Sequence, residues 1–176
     1  VLLMASYEKK DDIVDFDTLK QSCDTLLICI EKMEREDEMH HHDHSPSWVK
    51  GSLSEGLLFL FHKASPTLKK IDHILVMAAP NPLRAVQNLL KNDLSHAFSP
   101  HITMEGVFTS SMQCMQKGVC ARCLQWIIDP LTGEKSPVFT CAKQDQPLLS
   151  MDINTLQMRL GQHRLFPPCR CNRCRR

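Results

Sequence analysis

Four unbroken apolar runs divide the first 108 residues: "VLLMASYE" (1–8), "DTLLICIE" (24–31), "KIDHILVMAAP" (70–80) and "HITMEGVF" (101–108). None alternates apolar with polar, as a strand with one wet face would, so each is expected as a strand buried on both sides. Helical patterns fall between them. "DFDTLKQSC" (15–23) offers Asp15 or Asp17 as an N-cap. "SLSEGLLFLFHKA" (52–64) begins with Ser52 followed three residues later by Glu55, the spacing of a capping box. "PLRAVQNLLKNDL" (82–94) places Pro82 at a helix start and Leu83, Val86, Leu89 and Leu90 at helical spacing. The charged stretch 32–48 is expected as a loop. Strand, helix, strand, helix, strand, helix, strand predicts an α/β fold, a parallel sheet with helices on both faces. Beyond residue 108 the pattern gives way to a cysteine-bearing region, then to a helix over "DINTLQMRLGQ" (152–162).

Composition narrows the function classes. The chain has 176 residues, a formal net charge of +1 and 43% hydrophobic residues, ordinary values for a globular domain. There is no global field to attract nucleic acid or an anionic membrane. The longest apolar run, "LLFLF", is too short to span a bilayer. With no basic n-region before a cleavable apolar segment, a cytoplasmic location is expected. Nine cysteines is an odd number, which argues against a complete disulfide framework. Cys23 and Cys29 sit in apolar company and are expected as buried small hydrophobes.

The candidate chemistry lies in "SSMQCMQKGVCARCLQW" and "SPVFTCAKQDQP". Cys114, Cys120, Cys123 and Cys141 are separated by five, two and seventeen residues. A two-residue gap lets two thiolates turn toward one metal. Gly118 and Ala121 let the backbone approach, so that its N–H groups can reach sulfur. Plant-type [2Fe–2S] sites use a four-residue gap, a two-residue gap and a distant fourth cysteine. That ranks an iron–sulfur cluster ahead of zinc, which prefers two tight pairs, and ahead of disulfides or inert thiols. No nucleophile elbow, P-loop or metal-spaced His pair occurs, and no catalytic residue is expected; Ser110 and Ser111 near His101 lack a third group. The "HHHDH" run (40–44) and the "EREDE" run before it are expected as solvated loop. The tail "CRCNRC", with Cys169, Cys171 and Cys174 among arginines, is either a further thiolate site or a functionless terminus.

These motifs resemble the C-terminal iron–sulfur segment of the ferredoxin–NADP reductase superfamily. The likeness extends to the electron-transfer subunit of dihydroorotate dehydrogenase, to the small subunit of NADH-dependent ferredoxin–NADP oxidoreductase and to the C-terminal region of long bacterial pyridine nucleotide-disulfide oxidoreductases. The resemblance makes Cys114, Cys120, Cys123 and Cys141 the cluster ligands. It makes 1–108 a partial NAD(P)-binding module, 109–165 the cluster segment with its helix, and 166–176 an unmatched tail. "HILVMAAPNPLRAVQNLL" resembles the module's strand, nucleotide-approaching turn and helix, so Ala79, Pro80 and Asn81 would face NAD(P). Two departures stand: the first cysteine gap is one residue longer than in the family, and Ala79 replaces a glycine. The family's sheet order 3-2-1-4-5 implies a central strand and a Gly-rich phosphate turn before Val1, so the chain is expected to be the C-terminal part of a larger flavoprotein. Its implied function is electron transfer from NAD(P)H and FAD through the cluster, with an FAD-binding domain or subunit as partner. The alternative is a zinc-stabilised or metal-free interaction domain derived from such an enzyme.

Overall fold

A computed structural model of the chain describes residues 1–32, 47–108, 114–115 and 117–161. The "HHHDH" and "EREDE" runs, Ser110, Ser111 and the "CRCNRC" tail lie outside the described residues. Contacts divide the chain into two compact units, Val1–Asp72 with Asn88–His101, and His73–Gln87 with the described residues from Ile102 onward.

In the first unit, β1 (Leu2–Tyr7), β2 (Thr25–Ile30) and β3 (Ser47–Lys50) form an all-parallel sheet in the order β1-β2-β3. Every residue of β2 from Leu26 to Ile30 is buried, as an unbroken apolar run in a doubly covered strand should be. Leu26, Ile28 and Ile30 face Phe16 and Leu19 of α1 (Phe16–Gln21) together with Trp48. Leu27 and Cys29 face Phe59 and Leu60 of α2 (Leu53–Leu68). Asp15 caps α1, its side chain accepting from the Thr18 N–H at 3.4 Å. The expected capping box forms by its glutamate half: Glu55 accepts from the Ser52 N–H at 2.6 Å and from the Ser52 hydroxyl at 2.8 Å. Strand β3 takes in Ser47 and Trp48, the last two residues of the expected loop over 32–48, of which 33–46 lie outside the described residues. Only four residues long and set among polar neighbours, it has no period of its own and takes its form from pairing with β2.

The second unit holds β4 (His73–Ala78), the first turns of α3 (Pro80–Lys91), β5 (Thr103–Phe108), β6 (Leu124–Ile128), β7 (Lys135–Phe139), β8 (Gln146–Pro147) and α4 (Ile153–Gly161). β4 and β5 pair in parallel, and β8 adds to β5 antiparallel. The expectation of one parallel sheet is therefore corrected. The strands are shared between two three-stranded sheets, one of them mixed, and β6 and β7 make a separate antiparallel hairpin. The protein is mixed α/β. Among the described residues β4 pairs only with β5, and Leu75 and Met77 on one of its faces are 53% and 65% exposed. The opposite face of β5 is close-packed: a Cβ on Gly106 would lie 2.8 Å from side-chain atoms of both Leu148 and Met151.

Helix α3 begins at Pro80, two residues before the expected start at Pro82. Buried Gln87 donates to the carbonyls of Leu148 (2.7 Å) and Met151 (2.9 Å). That anchors the short 3-10 turn Leu148–Ser150, from which the chain enters α4. No helix among the described residues is long and apolar enough to cross a membrane.

Candidate metal centre

The hairpin β6–β7 is closed by "DPLTGE". The Asp129 carboxylate accepts from the N–H groups of Leu131 (2.8 Å) and Thr132 (3.0 Å), and Gly133 at φ 73° completes the turn. At the open end of the hairpin, Cys123 precedes β6 and Cys141 follows β7. The Cys123 carbonyl accepts from both the Thr140 N–H and the Thr140 hydroxyl, each at 3.1 Å. Seventeen residues of separation in sequence thus become direct contact in space. The two sulfurs lie 3.1 Å apart, with Cys123 1% and Cys141 6% exposed.

The chain before β6 is a tight loop in which Met115 (φ 48°), Gly118 (φ 68°) and Ala121 (φ 54°) all take left-handed conformations. Such conformations turn successive N–H groups toward a common point, making a concave anion site. Two of the three residues carry side chains for which this region is uncommon, a strain of the kind that collects at functional sites. The Lys117 N–H donates to the Cys114 carbonyl at 3.2 Å; the N–H groups of Cys120 and Val119, then the Cys120 thiol, favour the Cys114 thiolate. They hold its pKa down to about 6 against the opposing effect of desolvation. The Gly118 N–H acts likewise on Cys141, but the Cys123 thiol beside it and desolvation together push Cys141 up, with the Cys114 charge adding to the rise.

Of the four sequence-predicted cysteines the structure brings Cys123 and Cys141 into direct contact, while Cys114 and Cys120 lie on the loop before β6. All four thiols are free, as are Cys23 and Cys29. Among the described residues no group of three or more His, Cys, Asp or Glu side chains stands in a metal-holding arrangement. The 3.1 Å sulfur separation lies between the ~2.05 Å of a disulfide and the roughly 3.8 Å edge of a thiolate tetrahedron with metal–sulfur bonds near 2.3 Å.

Sequence reasoning missed Arg159, which reaches this loop from α4. Its guanidinium donates to the carbonyls of Ala121 (2.5 Å), Arg122 (3.3 Å) and Leu124. Nothing in the local pattern sets it apart from the other basic residues on helices.

The predicted nucleotide-facing residues lie elsewhere in the second unit, Ala79 between β4 and α3 and Pro80 and Asn81 at the start of α3. Ala79 and Asn81 are exposed. Pro80 and Pro82 lack N–H groups, and the Leu83 N–H is bonded to the Ala79 carbonyl. Of the first three helical positions, Asn81 alone has an N–H to offer. Its side-chain oxygen already accepts from Gln157, whose own oxygen accepts from Arg84 at 2.9 Å. Cys29, as expected, is a fully buried thiol, pushed up to about 11 by burial and then by Glu55; Cys23 is half-buried and donates to the Leu19 carbonyl at 3.2 Å.

Over 98 residues the chain is 28% identical to a protein of Rickettsia prowazekii (strain Madrid E) named "Uncharacterized protein RP006". The match covers 56% of this chain and 12% of that protein's length, so the chain corresponds to a small part of the relative. No family model matches the chain. No solved structure matches it.

Proposed function

We propose that the protein carries electrons through a [2Fe–2S] cluster held by Cys114, Cys120, Cys123 and Cys141. One observation carries this reading: Cys123 and Cys141, far apart in sequence, meet with their sulfurs 3.1 Å apart at the open end of the hairpin, beside the strained loop that carries Cys114 and Cys120. A two-iron, two-sulfide core asks for two thiolates on each iron. A single zinc ion asks for one tetrahedron of equivalent edges. The surrounding backbone suits a sulfur-rich anionic group, because the N–H groups of Val119 and Cys120 favour the Cys114 thiolate and that of Gly118 acts the same way on Cys141. The cluster would supply one-electron chemistry. The residues of this chain would bury the Cys123 and Cys141 side, donate hydrogen bonds to sulfur and fix the separation of the four thiols.

The wider setting follows the resemblance: an NAD(P)H-dependent flavoprotein oxidoreductase of the cytoplasm, with an FAD-binding domain or subunit as donor and NAD(P) approaching Ala79, Pro80 and Asn81. With only one N–H at the start of α3, that turn is a poor cradle for phosphate, and the proposal rests on the thiols.

The second reading is an interaction domain that holds zinc or no metal. It is favoured by the lack of a three-ligand group among the described residues and by the longer first gap. Anaerobic reconstitution with iron and sulfide decides between the two. The expected outcome is two irons and two sulfides per chain, with an EPR signal in the reduced sample alone. Stoichiometric zinc, or no metal bound, would overturn the electron-transfer reading. Cys141→Ser should lower iron retention severalfold, whereas Cys23→Ser should leave it unchanged.

A further inference from the structure

We infer that Arg159 is the positioning residue of the thiolate centre: its guanidinium clamps the loop carrying Cys120 and Cys123 and places a fixed positive charge beside Cys123. The inference rests on the proposed role of these thiols, but the clamp itself is a property of the metal-free chain.

The geometry makes the case. Three carbonyls of one tight loop, those of Ala121, Arg122 and Leu124, point at a single side chain from another element. One nitrogen serves Ala121 and the other serves Arg122 and Leu124. A planar fork with five donors can do this; a lysine ammonium cannot present the same spread. The clamped carbonyls flank Cys123 on both sides, and Ala121, held at φ 54°, is one of the strained residues. Three hydrogen bonds to a charged donor supply what keeps that conformation in place. Because the bonded carbonyls of Arg122 and Leu124 belong to the residues on either side of Cys123, the guanidinium is fixed next to that residue.

α4 is rigidly placed for this work. Asp152 caps it through the Thr155 N–H (3.0 Å) and hydroxyl (2.7 Å), and the Asp152 N–H donates to the Trp126 carbonyl of β6 at 2.9 Å. One end of the helix is thus tied to the hairpin, and a residue two turns along grips the loop that begins it.

A cation beside the sulfurs favours the reduced, more negative state of a bound cluster. Arg159→Gln removes both clamp and charge; Arg159→Lys removes most of the clamp and keeps the charge. Amide hydrogen exchange on the metal-free protein reads the clamp. In both variants the Leu124 and Thr140 amides, bonded to the Ala121 and Cys123 carbonyls, should exchange at least tenfold faster than in the wild type, while the β4–β5 amides keep their rates. Unchanged exchange at Leu124 and Thr140 in both variants overturns the clamp, whether or not the protein takes up iron. Redox titration of the iron-loaded protein reads the charge. The midpoint potential should fall in Arg159→Gln and stay near the wild-type value in Arg159→Lys. Equal potentials in all three overturn the charge effect. Failure of the wild type to bind iron overturns the electron-transfer reading alone, and the exchange rates still decide the clamp.

Discussion

Single residues show how finely the packing is set. Gly56 of α2 has the Cys29 sulfur where a side chain would begin: a Cβ there would lie 2.2 Å from Sγ and 3.1 Å from the Met4 sulfur. Gly56→Ala gains about 1 kcal/mol in helix propensity, but it must displace a wholly buried thiol, and overpacking costs about 1–3 kcal/mol. A net loss of up to about 2 kcal/mol is expected, read as a lower midpoint in urea. Asp152 is the second such residue. Burial raises its pKa, but Lys135 at 2.7 Å and the two bonds from Thr155 outweigh that, so the folded pKa lies below the ordinary value. A carboxylate lowered in the folded state contributes stability above its unfolded pKa, about 3.9. That contribution is lost as pH falls through the folded value. Asp152→Ala should cost about 1–2 kcal/mol at neutral pH, the range of a lost N-cap. The gap from wild type should narrow on acidification below about pH 4, as thermal melts over a pH series would reveal.

At the scale of elements, the cysteine loop is the strained piece and Gly118 its least strained hinge. A Cβ at Gly118 would meet only ordinary contact, with Phe139 at 3.7 Å, so any penalty comes from φ 68° alone. Gly118→Ala should therefore cost about 1–2 kcal/mol, measurable by chemical denaturation of the metal-free protein. This loop also marks how far the sequence could be read. The long elements were legible: β1, β2, β4, β5, α1 and α4 fall where apolar runs and caps place them, but of the four strands only β2 is buried along its length as expected, since β1 has no buried residue and β4 only Val76. Spacing set Cys120 and Cys123 as the close pair with Cys141 apart; the contact of Cys123 with Cys141 comes from the hairpin and was not read. Strand β3 was not legible, since four residues beside a polar stretch carry no period. The hairpin strands β6 and β7 were read only as part of a cysteine-bearing region, although "DPLTGE" marks the turn between them. Arg159 was hidden for a different reason: its role comes from which carbonyls face it, a tertiary fact that no local pattern encodes.

At the scale of the molecule, the parallel pairing inferred from unbroken apolar runs holds within β1-β2-β3 and between β4 and β5, but local pattern cannot say which strands share a sheet. Among the described residues one side of β4 has no strand partner, which has its own consequence for handling the protein. Its outer main-chain N–H and C=O groups, with Leu75 and Met77 beside them, form a template on which any extended peptide can crystallise into sheet. Concentrated samples should scatter light increasingly with time. Leu75→Lys, set opposite Glu105 across the β4–β5 pair, should suppress that scattering at little cost in melting temperature, because a favourable cross-strand charge pair replaces a half-wet leucine. The protein's shelf life would then be governed by strand edges such as that of β4 rather than by the stability of its interior.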